Sequence, residues 1–418
     1  MAGDGVYYGM YFEIIRDPLW NNIRVDEFTM RLVDSRAVQR LRFVRQLGLA
    51  YLVYPGATHS RFEHALGTYH LARRTLALLA EREGSMLGPE DRATVCAAAV
   101  LHDVGHYPFS HALEEIGAPN HEIVAEPLVT TGEIAELLEA ELGRTAPARV
   151  LDLIRGRSTS ALQGLISGSL DLDKIEYLKR DALMCGVPYG EIDVDRLTHS
   201  LVLVADPDTG TPTLGLVEKG LAALESLLFA KYQMYRNVYW HHAVRSATAM
   251  YKRLVSDAMA AGTLRRETIV QYTDEGLLDH LARHRPSPLL DALRWRRLYK
   301  RAFECPAADL PKGAGEWIAT EWPRATAAAD RLAAQFGLAP GELLLDYPTK
   351  TQMLGLEIPV RRRSGRVERL TAAGLDGSIN LPSLSDELYQ SARWLRVFTA
   401  RRTTVPTAAV METIKADL

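Results

Sequence analysis

The alternation of apolar and polar positions divides the chain into a long helical part and a shorter mixed part. Residues 11–18 read as an extended lead-in. Residues 29–48 then carry Met30, Leu32, Val33, Val38, Leu41, Val44 and Leu47 at mixed three- and four-residue steps, which predicts a helix closing at Gly48. Residues 51–56 are a short extended piece ending in a Pro55-Gly56 turn, after which Thr58 or Ser60 caps a helix over 61–83. That helix sets Leu66, Tyr69, Leu71, Leu76 and Leu79 largely on one side and has Glu63 near its positive end. Further helices are predicted over 92–102, 110–117, 121–129, 134–142 and 149–155, with 164–184 helical or turn-rich.

At 201–216 the period changes to that of a β-hairpin turning at Asp206-Pro207-Asp208-Thr209-Gly210, and a long helix follows over 219–261. Beyond it, 277–284 and 289–303 look helical, 307–315 reads as a linker, and 343–345, 354–360 and 395–398 have strand character. The expected fold is mainly α: a helical core over 1–265 with a small β-hairpin, and a C-terminal α+β accessory region over 266–418.

Composition narrows the class without naming a chemistry. The chain is 418 residues long, 47% hydrophobic and 24% charged, ordinary values for a globular protein with a sizeable core. A net charge of -3 supplies no global pull toward nucleic acid or an anionic membrane. Three cysteines without a CxxC pair argue against a disulfide framework and fit a reducing cytoplasm. Neither a secretory leader nor a long apolar run is visible, so a cytoplasmic location is expected. The basic stretches at 294–301 and 361–363 read as solvated faces, with nucleic-acid binding not favoured.

The densest chemistry lies at the end of the alanine-rich helix: His102-Asp103-Val104-Gly105-His106-Tyr107-Pro108-Phe109-Ser110-His111, in a chain with only 12 histidines. Adjacent helical side chains diverge by about 100°, so His102 and Asp103 reach one ion only at a helix end or kink, and Gly105 supplies one. Imidazole with carboxylate suits Fe, Mn, Zn or Co better than Ca. An isolated His-Asp dipeptide is usually structural. Two further residues change that reading: His64 on the preceding helix, and Asp173 in an apolar neighbourhood where a bare carboxylate is costly to bury.

The order H…HD…D on successive helices resembles the HD-domain metal-dependent phosphohydrolases. Residues 53–67 (Val-Tyr-Pro-Gly-Ala-Thr-His-Ser-Arg-Phe-Glu-His-Ala-Leu-Gly), the element 102–111 and residues 171–181 are similar to three motifs of the dNTP triphosphohydrolases within that family. The resemblance covers about residues 12–195. It implies His64, His102, Asp103 and Asp173 as ligands of a divalent metal (Fe, Mn, Zn, Co or Mg). It further implies His106, His111 and His121 with Glu122 on the phosphate side, where a His-Glu pair assists proton transfer to the leaving 5′ oxygen. The metal would activate water and polarise the α-phosphate. Arg61, Lys174 and Lys231 would hold triphosphate oxygens, Gln46 the sugar 3′-OH, Leu47 the sugar edge, and Tyr177 and Asp181 the sugar and base side.

Asp34, Gln39 and Arg42 match an effector-binding motif of the family, although Glu13 and Arg16 depart from the lysine and asparagine found upstream there. Family members assemble as dimers or tetramers, so a homo-oligomer and nucleotide activation are the corresponding expectations. The stripe Tyr232, Tyr235, Tyr239 reads as core, and His59, His70, His241 and His242 as packing histidines. The expected activity is hydrolysis of a dNTP to deoxynucleoside and tripolyphosphate. The alternatives are a phosphatase or phosphodiesterase of another nucleotide using the same metal site, and a nucleotide-sensing or nucleic-acid-binding regulator.

Overall fold

A computed structural model describes residues 12–83, 87–348, 357–371, 374–375 and 380–415. The chain opens with an antiparallel hairpin, β1 (Phe12–Asp17) and β2 (Asn21–Asp26), and enters α1 (Glu27–Asp34), whose first turn is capped by the Asp26 side chain. The continuous helix expected over 29–48 is broken. Ser35 adopts an extended conformation and its hydroxyl donates to Leu32 O, so α2 (Arg36–Arg40) starts in a new direction and ends in a 3₁₀ turn. The piece over 51–56 is likewise not extended. Its first residues continue a 3₁₀ turn from Gly48 and pack on a later helix, α11.

Two long helices, α3 (Arg61–Glu83) and α4 (Pro89–Leu101), form the centre of the molecule. The second half of α4 is buried on every side, which explains its run of alanines: small side chains let α1, α3, α6 and α7 approach closely. After the irregular loop 102–109 come a 3₁₀ helix (Ser110–Ile116), α5 (His121–Thr130), α6 (Gly132–Leu142), α7 (Ala146–Ile154) and α8 (Leu172–Cys185), which packs back on α3. A short α9 (Val194–Thr198) leads to the predicted hairpin, β3 (Leu201–Ala205) with β4 (Pro212–Val217).

The long helix expected over 219–261 is two helices. α10 (Leu221–Met234) widens into one π-helical turn at Tyr235–Tyr239, and α11 (His242–Ala260) restarts with His241 as its cap. Next come α12 (Asp274–His284) and α13 (Pro288–Arg294). Helix was also expected through 303, but Arg296 takes a positive φ of 54° and β5 (Lys300–Pro306) follows instead. The extended form there is fixed by pairing with a distant strand.

The remainder is α14 (Glu316–Thr320), α15 (Trp322–Gln335), β6 (Leu343–Asp346), β7 (Pro359–Arg361), β8 (Val367–Arg369), α16 (Leu381–Ala392), β9 (Trp394–Thr399) and α17 (Thr407–Lys415). Of the strand expected over 354–360, residues 354–356 lie outside the described residues and the end forms β7. The strands form two mixed-origin sheets. In β3-β4-β7-β8 the hairpin is extended by β7 and β8, and in β5-β9-β6 the central β9 pairs antiparallel with both neighbours. Among the described residues no helix is long and apolar enough to cross a membrane. The fold is mainly α with small sheets, as the patterning predicts.

Candidate active site

Three elements bring the expected metal ligands together. His64 projects from the first turn of α3, His102 and Asp103 follow the C-terminal end of α4, and Asp173 sits in the first turn of α8. His64 Nε2 lies 3.2 Å from His102 Nε2, 2.9 Å from Asp173 Oδ1 and 3.7 Å from Asp103 Oδ2. His102 Nε2 lies 3.5 Å from Asp103 Oδ1 and 3.8 Å from Asp173 Oδ1.

The outward nitrogens are already committed. His64 Nδ1 donates to Glu176 Oε2 at 2.6 Å, and His102 Nδ1 donates to Ala99 O at 2.9 Å. Both Nε2 lone pairs therefore converge with two carboxylates on one point, an arrangement that calls for a cation. The two imidazoles and two carboxylates fit a divalent transition metal. Burial disfavours charge on His64, but the carboxylates of Asp173 and Glu176 outweigh it and raise the imidazole to about 10.

Glu176 is absent from the expected set. It is fully buried, accepts from His64, Arg180 and Trp20, and is held at about 2 against its burial by Arg180 and His64. Arg180 in turn donates to Asp17 at 3.0 Å, tying the metal-side shell to β1. The signal was present in the spacing: Glu176 follows Asp173 by three residues on α8, the same helical face.

A second group adjoins the first. His106 is buried, 3.1 Å from Asp103 Oδ1, and its ring stacks on His121 at 3.8 Å with 17° between planes. Burial, with Arg61 and His121 nearby, keeps it far below the usual imidazole range and neutral. His111 meets the His106 ring edge-on at 4.6 Å. The carboxylate that joins the histidines is Glu114, whose Oε1 accepts from His121 Nδ1 at 2.8 Å and whose Oε2 lies 3.3 Å from His111 Nδ1. It stays ionised despite burial because both histidines hold it well below the usual range. Glu122, the expected partner of His121, lines the same cavity, but it is engaged through its backbone, its N–H donating to Asn120 Oδ1 and its carbonyl accepting from Arg155 Nε at 3.1 Å. Sequence adjacency pointed to Glu122. The single-turn spacing His111-x-x-Glu114 was the better signal.

The loop between these groups is strained and clamped. Phe109 and Ser110 have φ of 57° and 63°. Phe109 N donates to Asp274 Oδ1 at 2.7 Å, and Ser110 Oγ donates to Arg45 O at 2.7 Å while accepting from Arg61 Nε at 3.0 Å. Asp274, the first residue of α12, is buried and raised to about 6 by that burial. No local signal announces it, because it lies far along the chain from the loop it holds.

One cavity of about 580 Å³ connects these parts. Its lining includes Gln46, Leu47, Arg61, His102, Asp103, His106, His111, Glu114, His121, Glu122, Asp173, Lys174, Tyr177 and Asp181. His64 lies behind the metal-side wall. Arg61 Nη1 donates to Asp103 Oδ2 at 2.7 Å, so one of the expected phosphate cations also braces a metal ligand. Lys174 pairs with Asp171 and donates to Gly168 O at 3.0 Å. Lys231 is buried beneath them, its ammonium 5.6 Å from the Tyr235 ring centre, and burial with the neighbouring Lys174 pushes it down to about 7. Gln46 Oε1 is buried without a hydrogen-bond partner among the described residues. Asp181 accepts from Tyr239 OH at 2.6 Å and bonds to His59 Nε2 at 2.8 Å.

Tyr235, Tyr239 and Trp240 also line the cavity, so two members of the tyrosine stripe read as core face the site. The π-helical turn rotates them there, and periodicity cannot foresee it. By contrast, Gln39 donates to Val33 O and accepts from Arg42 Nε at 2.7 Å, while the Arg42 guanidinium rests 3.6 Å from the Phe62 ring centre. Those two residues and exposed Asp34 stand outside the cavity.

Residues 61–180 match the HD domain, and residues 192–374 match the HD associated region. The chain thus carries an HD domain followed by its HD associated region. An uncharacterized protein of Methanocaldococcus jannaschii is 35% identical over 298 residues, 71% of this chain and 61% of that protein. The uncharacterized protein YwfO of Bacillus subtilis is 32% identical over 248 residues, 59% of this chain and 56% of its own length. The chain thus spans about three fifths of these curated relatives. The deoxynucleoside triphosphate triphosphohydrolase SAMHD1 of Bos taurus is 41% identical over 103 residues, 24% of this chain and 18% of that protein. Among solved structures, a hypothetical protein from Aquifex aeolicus superposes with a TM-score of 0.71 at 26% identity, covering 97% of this chain and 100% of that one. A phosphohydrolase from Bacteroides thetaiotaomicron shares the fold, with a TM-score of 0.73 at 23% identity over 94% and 100% of the two chains.

Proposed function

We propose that this HD-domain protein hydrolyses deoxynucleoside triphosphates to deoxynucleoside and tripolyphosphate. The observation that carries this reading is the composition of this cavity. A metal-ligand quartet and a His-Glu-His group stand side by side, cations flank them, and a wall of Tyr177, Tyr235, Tyr239 and Trp240 continues from there with Gln46 and Asp181 as polar handles. Its volume is in the range of nucleotide-sized sites. The partial match to a dNTP triphosphohydrolase supports the same substrate class.

A bound metal supplies Lewis-acid polarisation of a phosphoryl group and activation of water. His64, His102, Asp103 and Asp173 hold it, with Glu176 and Ala99 O fixing the imidazole tautomers. Arg61 and Lys174 neutralise phosphoryl oxygens, and each must release part of its present pairing to do so. His111 is the more exposed of the two histidines on Glu114 and is the one placed to pass a proton to the leaving oxygen. Gln46, with a free buried carbonyl oxygen, accepts from a sugar hydroxyl.

The test is incubation of purified protein with each dNTP and Mn²⁺ or Mg²⁺, with and without a second nucleotide, and identification of the inorganic product. Tripolyphosphate is expected, lost in the His102→Ala, Asp103→Ala double variant. Orthophosphate or pyrophosphate as sole product sinks the substrate assignment and leaves the alternative phosphatase or phosphodiesterase reading.

A further inference from the structure

The turn between β1 and β2 reaches the metal side of the site through a closed ring of hydrogen bonds. Asp17 Oδ1 accepts from the backbone N–H of Leu19 at 2.9 Å and of Trp20 at 2.7 Å, which fixes the turn. Asp17 Oδ2 accepts from Arg180 Nη1 at 3.0 Å, and Arg180 Nε donates to Glu176 Oε1 at 2.7 Å. The indole Nε1–H of Trp20 returns to that same Glu176 oxygen at 3.0 Å and closes the ring. Asp17, Glu176 and Arg180 are all buried, so water has little access to these bonds.

The ring decides which oxygen of Glu176 is left for the metal side. Arg180 Nη2 also lies 2.7 Å from Oε1, so the guanidinium and the indole both crowd onto one carboxylate oxygen. An arginine beside a carboxylate ordinarily takes both oxygens in a two-pronged pair. Here Oε2 is turned away, to His64 Nδ1 at 2.6 Å. A carboxylate that rotated into the arginine fork would let go of that N–H and leave the His64 ring without its orienting partner. Trp20 opposes the rotation, because its indole N–H would then lose its buried acceptor.

The packing around α3 keeps room for this arrangement. Gly67 lies one turn beyond His64, and a Cβ there would stand 2.0 Å from Glu176 Oε1 and 2.8 Å from Arg180 Nη2. The Trp20 ring stacks on His70 of the same helix, 5.5 Å between centres and 24° between planes, which holds the indole against α3.

We propose that Trp20, Asp17 and Arg180 are positioning residues for the metal: acting through Glu176, they hold the His64 imidazole with Nε2 toward the ion. The N-terminal hairpin is then part of the metal centre, although it supplies none of the four ligands. This role rests on the reading of His64, His102, Asp103 and Asp173 as metal ligands and is independent of the dNTP assignment.

The experiment titrates the metal-stripped full chain with Mn²⁺ and Co²⁺ in competition with a chromophoric chelator. Wild type, Trp20→Phe and Arg16→Ala are compared. Trp20→Phe keeps an aromatic ring over His70 and deletes the N–H. Arg16→Ala removes an exposed cross-strand bond of the same hairpin, to Asn22 at 2.9 Å, and leaves the ring intact. Metal affinity about 3- to 10-fold weaker is expected in Trp20→Phe, a smaller loss than an outer-shell residue in direct contact with a ligand produces. The visible absorption band of bound Co²⁺, which reports ligand geometry, should shift at saturation. Arg16→Ala should match wild type in both readouts. Affinity within about twofold of wild type in Trp20→Phe, an unshifted band, or equal losses in the two variants overturns the proposal. Wild type that takes up neither ion overturns the metal quartet itself, a result distinct from normal uptake with an unaltered Trp20→Phe. If Trp20→Phe fails to fold by circular dichroism, Asp17→Asn, which keeps the turn's acceptor and removes the charge facing Arg180, is judged by the same limits.

Discussion

At the scale of single residues, the site is governed by carboxylates that touch histidines. Glu114 binds two of them, and Glu122, next to His121 in sequence, binds neither. Glu114→Gln keeps the shape but removes the carboxylate charge that His111 and His121 both contact. A fall in kcat of roughly 10²- to 10⁴-fold with little change in KM is expected, and Glu122→Gln should stay within a few-fold. Steady-state kinetics on both variants separates the two assignments, and equal losses would contradict the one made here. Glu176 acts at one remove, through the tautomer of His64. Glu176→Gln should lower metal affinity about 10- to 100-fold, read as metal retained after dialysis against graded chelator. Full retention would show that His64 is oriented without it.

At the scale of elements, His106 and His121 depend on how tightly loop 102–109 lies against α5. A Cβ on Gly105 would stand 2.1 Å from His121 O and 2.7 Å from Ala125 N, both backbone atoms that cannot swing aside. Gly105→Ala must therefore displace α5 and with it the His121 ring stacked on His106. A stability loss on the order of 1–3 kcal/mol is expected, with a larger proportional loss of activity. A wild-type melting temperature would mean that α5 is free to move. The same loop explains why Phe109 and Ser110 tolerate left-handed backbone: Asp274 on α12 and Arg61 on α3 hold it from opposite sides.

At the scale of the whole molecule, the C-terminal sheet reaches the catalytic helix through a buried charge network. Glu115, on the same 3₁₀ helix as His111 and Glu114, accepts both terminal nitrogens of Arg245 at 2.9 and 2.8 Å and Lys252 at 2.8 Å, and Arg245 is held in turn by Asp346 on β6. Asp346→Ala leaves that guanidinium short of a partner in a buried setting. A destabilisation of about 3–5 kcal/mol is expected in denaturant unfolding. A change below about 1 kcal/mol would mean that the sheet and the catalytic helix are not energetically linked.

The sequence alone determined the helical character and the hairpin over 201–216, because these rest on local periodicity. His64, His102, Asp103 and Asp173 were legible from their chemistry and order along the chain. What tertiary structure decided was every feature set by residues far apart. The strand in place of helix at 300–303 follows from pairing with distant β9, and the π-helical turn brings Tyr235 and Tyr239 to the cavity. The contact of Glu114 with both His111 and His121 and the clamp from Asp274 have the same origin. Periodicity reports which face of an element is buried. It does not report what that face meets, and a carboxylate's role or an arginine's charge balance depends on that meeting.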